Sequence, residues 1–481
     1  MRPLETALTL VNAMALLVSA RTSLRSSRWI QLLPPIIAAA AVAQLLIEGS
    51  RWQMMPAYAL SAVLFAFLLL QSPPPTRAPK QRSTSLRIAA GAGIAFGVFA
   101  LIASAALPIL IPVFRFPAPG GPYAIGTLTY HWVDRERPEI FTADPLDHRE
   151  LMVQLWYPAE NNSSSKRAPY VQDGHALAAL ARLFHFPAFA FDYLSAVTTH
   201  AIAFARVASG EPAYPVIIFS HGRGGFRQHN TFQVEALVSR GYIVAAIDHP
   251  YAASGVVFPD GRLVPFDSRM FDPIHTGHPP FLDQAIPFLA QDAIFTLDQL
   301  AELNRADPTG ILTGRLDLPR AGVFGVSLGG EVAAEACKRE PRLRACLIID
   351  VFVPHDVVDS GLQQPTMWIT RDARSMQLEG WQASDIDETQ TTMRKVFATL
   401  PGNGYIVLIP DAFHPNFSDF PLFSPLASWL GLIGPVDAQR AHDIINAYSL
   451  AFFDRHLKDR AATLLDQRVS PFPEAIFEMR R

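Results

Sequence analysis

The sequence predicts an α/β domain, with a mostly parallel sheet and helices on both faces, preceded by about four transmembrane helices. Two observations carry this prediction. Short β-branched runs alternate with helical patterns after about residue 115, whereas long apolar stretches fill the first 114 residues. The chain has 481 residues, of which 50% are hydrophobic and only 17% charged. We therefore expect a transmembrane anchor region at 1–114 and one large domain at 115–481.

The anchor region contains four apolar stretches. They are Ala7–Ala20, Trp29–Ile47, Met54–Gln71 and Ile88–Phe114. A helix that crosses the hydrocarbon core needs about 20 apolar residues, a length that the second and fourth stretches meet and the other two approach. For the first stretch a cleaved signal peptide is an alternative, because Val18-Ser19-Ala20 resembles a small-residue cleavage site.

Basic residues between the stretches predict the orientation. They lie in the first loop (Arg21, Arg25, Arg28) and the third loop (Arg77, Lys80, Arg82, Arg87), whereas the second loop has only Arg51, close to Glu48. The positive-inside rule places loops one and three in the cytoplasm. We therefore expect a multi-pass protein of the cell (inner) membrane, with the large domain extracytoplasmic or periplasmic. The four stretches contain no paired ionisable residues, which indicates an anchor and not a conduit.

The large domain begins with two alternating segments that predict an antiparallel lead-in, at 123–132 and 151–157. The buried runs predicted as strands are 215–219, 242–247, 321–326, 345–349, 366–369 and 405–409. The predicted helices are 228–240, 281–303, 328–339, 386–400 and 438–457. The segment 174–209 is rich in Ala and Phe and does not fit this alternation. It is either a helical cap over the site or an ordinary excursion of the core.

Composition excludes several classes of partner. The net charge is −3 and no Lys/Arg tract occurs, which argues against nucleic acid. Two cysteines, Cys337 and Cys346, cannot form a zinc site alone, so we expect no metal and no cofactor. Free buried thiols are favoured for this pair, with one local disulfide as the alternative.

The segment Gly325-Val326-Ser327-Leu328-Gly329 follows a hydrophobic strand and opens a helix. In ester hydrolases such a turn lifts the serine hydroxyl above the sheet, and the flanking glycines permit close backbone packing. The N-terminus of the helix also stabilises negative charge on the reacting oxygen. The same pattern arises by chance in Gly-rich turns, but its position between strand and helix favours Ser327 as a nucleophile.

A second glycine-rich loop, Ser220-His221-Gly222-Arg223-Gly224-Gly225, follows an earlier predicted strand. A loop of this kind supplies one oxyanion N–H, and the residue after the nucleophile supplies the other. The predicted donors are the backbone amides of Leu328 and Arg223. The alternative is a plain βα loop. We expect His221 to pack under the loop and not to act as the base.

The general base must lie downstream and reach Ser327. His414, just past the last predicted strand, fits the chain order serine, acid, histidine, and His355 is the weaker alternative. Two acids could orient the base, namely Asp350 after the strand 345–349 and Asp372 after the strand 366–369. The pattern alone does not choose between them.

With these residues identified, the large domain resembles the plasma-type (isoform II) platelet-activating factor acetylhydrolase family, which has an α/β-hydrolase fold. The resemblance spans most of residues 120–460 and rests on five segments: Arg149-Glu150-Leu151-Met152-Val153-Gln154-Leu155-Trp156-Tyr157-Pro158, Phe219-Ser220-His221-Gly222, Gly325-Val326-Ser327-Leu328-Gly329-Gly330, Ile349-Asp350-Val351 and Phe413-His414-Pro415-Asn416-Phe417-Ser418-Asp419-Phe420.

The resemblance implies that Asp350 is the acid, because in that family the acid directly ends the strand after the nucleophile helix. It also implies a calcium-independent esterase that acts on short or oxidised acyl chains of phospholipids. Leu328 and Arg223 stand where the family carries a Phe and an apolar residue. The four-helix anchor is foreign to the secreted members, so pocket shape and substrate are expected to differ.

The prediction is thus a serine carboxylic ester hydrolase, similar to 1-alkyl-2-acetylglycerophosphocholine esterases, with Ser327, His414 and Asp350 as its triad. Its partners would be a lipid or small ester substrate and the membrane. An acyltransferase or a general carboxylesterase of the same fold is an alternative. A non-catalytic membrane sensor is another, although such a protein would usually have lost a member of the triad.

Overall fold

A computed structural model of the chain describes residues 1–21, 28–70, 84–161, 166–271 and 282–481. The chain divides into two compact units. The first comprises Met1–Phe114 with Phe423–Leu426, and the second comprises Arg115–Leu422 with Ala427–Arg481. Of the residues used to predict orientation, Arg25, Arg77, Lys80 and Arg82 lie outside the described residues.

The first unit is helical. Its helices are α1 (Pro3–Ala20), α2 (Leu33–Ile47), α3 (Met55–Leu70) and α4 (Thr84–Leu110). In the described ranges, four helical segments are long and apolar enough to cross a membrane by length and composition. Leu16, Ile37 and Leu64 pack in a common core, whereas Leu46 and Leu70 are among the exposed apolar side chains.

The start of α1 differs from the prediction. This helix begins at Pro3 instead of Ala7, and it therefore includes Glu5, which is fully buried. Its carboxylate pairs with Arg51 at 2.7 Å and with Arg2 at 2.8 Å. The expectation that this region lacks paired ionisable residues is wrong for α1, because the helix extends upstream of the apolar run. A buried carboxylate needs such partners to offset its desolvation.

The second unit is built on a large sheet. Its strands are β1 (Ala124–Pro138), β2 (His148–Ala159), β3 (Arg167–Pro169), β4 (Thr198–Ala203), β5 (Tyr214–Ser220), β6 (Ile243–Asp248), β7 (Gly255–Val257), β8 (Leu263–Pro265), β9 (Leu316–Val326), β10 (Leu343–Ile349), β11 (Thr366–Thr370), β12 (Gly404–Leu408) and β13 (Ile476–Arg480). Over the described residues the strand order is β13-β12-β11-β10-β9-β5-β6-β2-β1-β4-β3, and β7 and β8 form a separate hairpin.

The centre of the sheet is parallel. Strands β6, β5, β9, β10, β11 and β12 run in one direction, and β2 and β13 flank them antiparallel. Residues Val216–Phe219 of β5 are fully buried, as expected for a continuous β-branched run covered on both faces. The carboxyl ends of neighbouring parallel strands meet at one edge, and there β9, β10 and β12 precede Ser327, Asp350 and His414.

The helices of this unit are α5 (Gly174–Leu183), α6 (Thr231–Ser239), α7 (Leu282–Arg305), α8 (Leu328–Arg339), α9 (His355–Ser360), α10 (Ala373–Glu379), α11 (Ala383–Thr399) and α12 (Ala438–Lys458). The predicted bounds of α8 are those observed, and the other predicted helices agree within a few residues. Cys337 and Cys346 are free and buried, which confirms the favoured prediction for this pair.

The segment 174–209 contains both a helix and a strand. It begins with α5, but its second half contains β4, which pairs in parallel with β1 in the main sheet. The helical-cap interpretation is therefore wrong for Thr198–Ala203. Ala176, Leu177 and Leu180 of α5 line a different cavity from the one that Ser327 lines. Strand β4 pairs with β1 because β1 would otherwise present a free edge with unpaired backbone N–H and C=O groups.

Candidate active site

Ser327 occupies the turn between β9 and α8. Its backbone has φ +55° and ψ −132°, a conformation that non-glycine residues rarely adopt. The Ser327 N–H donates to the carbonyl of Ile349 at 2.9 Å, and its carbonyl accepts from the Gly330 N–H at 2.7 Å. Strain of this kind persists only where surrounding contacts hold it, and it is concentrated at functional sites.

Close backbone packing explains the two glycines of the turn. A Cβ atom on Gly325 would lie 1.9 Å from the carbonyl oxygen of Gly329, and one on Gly329 would lie 2.0 Å from that of Ser220. Any side chain at either position would therefore force the turn apart. The loop that begins at Ser220 is packed directly against the serine turn, as the sequence predicted.

His414 and Asp350 are in direct contact. The Nδ1 atom of His414 lies 2.6 Å from Oδ2 of Asp350. Asp350 is 1% exposed, whereas 28% of the His414 side chain is accessible. Asp350 also has a positive φ, +48°, so the residues that follow β9 and β10 share an unusual backbone conformation.

Two further groups hold the Asp350 carboxylate. Its Oδ1 accepts from the Thr370 hydroxyl at 2.8 Å and from Nε of Arg371 at 3.2 Å. Burial favours a higher pKa for Asp350, but Arg371 and the bond to His414 outweigh it and lower the pKa below 3.8. The carboxylate is therefore ionised at neutral pH and the facing His414 nitrogen donates to it. Sequence reasoning missed Thr370 and Arg371, whose only signal is their position at the end of β11.

The alternative candidates are placed elsewhere. Asp372 caps α10, where its Oδ1 accepts from the Ser375 N–H at 3.0 Å. His355 is largely exposed and pairs with Glu388 at 3.2 Å. Among the residues that the structure describes, no hydrogen bond joins the Ser327 hydroxyl to the His414 ring. Such bonds are often long in unliganded hydrolases and shorten when substrate binds.

The two predicted oxyanion amides share one property. Within the described ranges, neither the Leu328 nor the Arg223 N–H donates to a protein acceptor. Their neighbours are satisfied, since the Gly224 N–H donates to Ala252 at 2.8 Å and the Gly225 N–H to Gly222 at 2.9 Å. A pair of free N–H groups beside a serine hydroxyl can bind a developing oxyanion.

His221 lies under the loop, as predicted. It is fully buried, its Nδ1 lies 2.7 Å from the Gly222 carbonyl, and its Nε2 accepts from the His249 N–H at 3.2 Å. Burial, with a contribution from His249, lowers the pKa of His221 to about 4. The ring is therefore neutral at physiological pH. Its Nδ1 donates to the Gly222 carbonyl of the loop, and its Nε2 accepts from the His249 N–H.

A second Ser–His–Asp grouping, which the sequence did not reveal, lies below this loop. Ser220 Oγ lies 2.8 Å from His249 Nε2, and His249 Nδ1 lies 2.8 Å from Asp292 Oδ2. None of the three residues is more than 1% exposed. Arg149 and Arg137 also bind Asp292, at 2.7 and 2.8 Å. Burial opposes ionisation of Asp292, but the two guanidinium groups outweigh it and hold its pKa far below its usual range.

A cleft of about 940 Å³ opens at Ser327. The described part of its wall includes three aromatic side chains, Phe271, Phe352 and Trp381. It also includes acidic residues, namely Glu331, Asp356, Asp359, Asp385 and Glu388. Arg223 is the facing cation, and its guanidinium lies 5.6 Å from the ring centroid of Phe271. The cleft therefore combines apolar surface with several hydrogen-bonding groups.

The second unit matches the family model described as platelet-activating factor acetylhydrolase, isoform II, over residues 111–258 and 304–469. The chain belongs to this family. The match covers the serine turn, the glycine-rich loop, Asp350 and His414, and it breaks between 258 and 304. Phe271, Ile286 and Pro287 of the cleft wall fall within that break.

Curated relatives carry the same family name. The platelet-activating factor acetylhydrolase of Gallus gallus is 24% identical over 384 residues, which are 72% of this chain and 84% of the relative. That of Bos taurus is 28% identical over 287 residues, or 55% of this chain and 62% of the relative. A protein of Arthroderma benhamiae, named as a probable 1-alkyl-2-acetylglycerophosphocholine esterase, is 24% identical over 277 residues, 55% of this chain and 66% of the relative.

Among solved structures, the ferulic acid esterase from Streptomyces cinnamoneus is similar to this chain. It superposes with a TM-score of 0.61 and 30% identity, covering 76% of this chain and 99% of the esterase. Together with the mostly parallel sheet, this similarity shows an α/β-hydrolase fold for the second unit. The family and this neighbour show that the chain is a serine ester hydrolase.

Proposed function

We propose that the reaction is a two-step acyl transfer catalysed by Ser327, His414 and Asp350. His414, oriented by Asp350, takes the proton from the Ser327 hydroxyl as this oxygen attacks the ester carbonyl. The amides of Leu328 and Arg223 hold the oxyanion. His414 then protonates the leaving alcohol, and water, activated by the same ring, releases the acid. The observation that carries this proposal is the 2.6 Å contact of His414 with the buried Asp350, which lines the same cleft as Ser327.

For the substrate we propose esters of short or oxidised acyl chains on phospholipids or similar lipids. The support comes from relatives that are named for the hydrolysis of an acetylated glycerophosphocholine. The apolar wall of Phe271, Phe352 and Trp381 suits an acyl chain. An acyl-length series, presented on phospholipid and on soluble esters, tests this assignment, and the rate constant kcat/KM should fall as the chain lengthens.

A substitution at Ser327 tests the chemistry. Ser327→Ala should lower kcat on p-nitrophenyl butyrate by about 10⁴-fold or more and abolish labelling by a fluorophosphonate probe. Ser220→Ala is the matched control, because it removes a second buried hydroxyl close to the same turn. Equal hydrolysis by the wild type and by Ser327→Ala would rule out Ser327 as the nucleophile.

We also propose that the four apolar helices span the membrane, with the hydrolase unit outside the cytoplasm. Loop and terminal charges support this orientation. Two cations on the side assigned to the exterior, Arg2 and Arg51, both pair with Glu5, and Arg2 also lies near Glu48. Their charge is thus neutralised, whereas loops one and three carry an excess of Arg and Lys.

Cysteine labelling in intact cells tests this topology. Cys337 and Cys346 are buried, so a membrane-impermeant maleimide should react only with introduced thiols. Val469→Cys, at an exposed position of the hydrolase unit, should label in intact cells. Lys80→Cys, in loop three, should label only after the membrane is permeabilised. The reverse pattern would place the hydrolase unit in the cytoplasm.

A further inference from the structure

The nucleophile helix carries a second polar group that faces the cleft. Glu331 lies one turn beyond Ser327 on α8, and residues four apart share one face of a helix. Both residues line the same cleft. Glu331 is only 5% exposed, and in the part of the chain that the structure describes its Oε2 atom has no hydrogen-bond partner.

Glu331 differs from the other buried glutamates of this chain. Glu5 pairs with Arg51, Glu139 with Arg149, and Glu235 with His200, at 2.7 to 3.0 Å. On α8 itself, Glu335 pairs with Arg339 and Lys338. A buried carboxyl group without a partner costs about 1–3 kcal/mol, so a purely structural role does not explain Glu331. The missing partner is expected on the cleft side, where substrate binds.

Burial and neighbouring charges determine whether the Glu331 carboxyl group is protonated. Burial raises the pKa of Glu331 well above its usual range, Glu388 adds to this rise, and Arg223 opposes it. Burial and Glu388 therefore favour the neutral form of Glu331, and a neutral carboxyl group is a hydrogen-bond donor.

We propose that the Glu331 carboxyl group donates a hydrogen bond to a neutral oxygen atom of the bound ester, about one helical turn from the reacting carbonyl. The preferred substrates are then esters with an ether, ketone or hydroxyl oxygen near the ester group, in place of plain alkyl esters. This inference rests on the proposed role of Ser327 and defines the substrate class of the same cleft. An anionic group is disfavoured there because carboxylates line the wall.

Pairs of substrates that differ by one oxygen atom test the inference on the full-length protein in detergent micelles. The pairs are p-nitrophenyl methoxyacetate with butyrate, in which an ether oxygen replaces a methylene, and p-nitrophenyl 4-oxopentanoate with pentanoate, in which a ketone carbonyl replaces a methylene. Each kcat/KM is divided by the hydroxide-catalysed rate of the same ester, which removes intrinsic reactivity. The wild type should prefer the oxygenated member of at least one pair by about tenfold, the worth of one buried hydrogen bond.

Two substitutions test whether the preference for oxygenated esters depends on Glu331. Glu331→Leu, which has similar volume and no donor, should remove the preference by lowering kcat/KM on the oxygenated ester relative to the plain ester. Glu331→Gln keeps an N–H donor and should retain most of the preference. Asp359→Asn, which removes a different, exposed carboxylate from the cleft wall, is the control and should keep the substrate ratio.

Several outcomes would overturn the inference. One is a wild type without preference for either oxygenated ester, a result that needs no variant. Another is an equal loss on both members of each pair in Glu331→Leu, which would show a structural role. A preference for a trimethylammonium ester that Glu331→Gln abolishes would show an ionised cation site. Failure of the Ser327 assignment is seen separately, as a Ser327→Ala protein that still hydrolyses these esters.

Discussion

The hydrolase unit contains two Ser–His–Asp groupings that differ in their surroundings. In the proposed triad, Ser327 lines a cleft, His414 is partly exposed, and two backbone N–H groups beside the serine are free. In the second grouping, Ser220, His249 and Asp292 are all buried, and Asp292 is bound by two arginines. The side chains are of the same types, but only the first grouping can meet an ester.

The two groupings differ in accessibility, backbone conformation and hydrogen bonding. In the first grouping, Ser327 lines a cleft, and Ser327 and Asp350 have strained backbone conformations. Among the described residues, the Leu328 and Arg223 N–H groups have no protein acceptor. In the second, the hydrogen bonds between the three side chains are short, and His249 also holds His221 beneath the oxyanion loop. Its contribution is therefore to fold stability and to the position of that loop.

The largest expected contrast concerns the acid of the proposed triad. Asp350→Asn should lower kcat by about 10³–10⁴-fold, because an amide favours the wrong tautomer of His414. Asp372→Asn should change kcat by less than about tenfold, since Asn also caps a helix. Steady-state rates on p-nitrophenyl butyrate measure both. If the two variants were equally impaired, the orientation of His414 would not depend on Asp350 alone.

A substitution in the buried grouping should affect stability instead. Asp292→Asn leaves the fully buried Arg149 without its main partner, which costs about 3–5 kcal/mol of unfolding free energy. Urea denaturation followed by tryptophan fluorescence measures this loss. Asp359→Asn, at an exposed position, should change it by less than about 1 kcal/mol. A stable Asp292→Asn protein with greatly reduced kcat would reverse the roles of the two groupings.

On acidification, protonation of His221 should destabilise the fold before the Asp350 carboxylate of the proposed triad is protonated. The pKa of His221 is about 4 in the folded chain, against 6.5 ordinarily, so between these values only the unfolded chain binds this proton. Stability should therefore fall on acidification through this range, by about 1.4 kcal/mol per pH unit for this residue.

Asp350 contributes to the stability of the fold over a different pH range. Because its folded pKa lies below 3.8, its stabilising effect is present above about pH 4 and is lost only at lower pH. Urea midpoints between pH 7 and 4.5 measure the His221 effect, and His221→Gln should flatten the slope. An unchanged slope in that variant would mean that another buried histidine, such as His442, dominates the acid response.

The smallest effect is expected from the buried serine. Ser220→Ala leaves one His249 nitrogen without its partner, which costs about 1–3 kcal/mol of stability. The same variant should keep kcat within about tenfold of the wild type, because Ser220 does not line the cleft. Thermal unfolding and fluorophosphonate labelling, measured on one preparation, separate the two effects. Loss of labelling would place Ser220 in the reaction.

Much of the fold was accessible from the sequence, because central parallel strands are long β-branched runs. Each predicted run from 215 to 409 overlaps an observed strand. The strands β3, β4, β7, β8 and β13 were missed. Ile476–Arg480 is a short edge strand of mixed polarity, and its partner β12 lies far away along the chain. Local periodicity contains no signal for such long-range pairing.

The residues of the candidate site also differ in whether the sequence alone reveals them. Ser327, His414 and the oxyanion loop have local signals, namely glycine spacing and position after a strand. The choice between Asp350 and Asp372 needed the direction of the His414 ring, which only the folded chain provides. The grouping of Ser220, His249 and Asp292 was missed because burial of an isolated polar residue cannot be read from its neighbours in sequence.

Helix α7 contributes both to the wall of the cleft and to the buried Ser–His–Asp grouping. Its first turns supply Ile286 and Pro287 to the cleft wall, and Asp292 follows two turns later on the same helix. This helix begins within the part of the chain where the family match is interrupted. A lineage that exchanged residues 259–303 to adopt a new substrate would also lose the partner of Arg149. The same helix therefore influences both the substrate range and the stability of the fold. A graft that replaces residues 259–303 must keep an acidic residue at position 292.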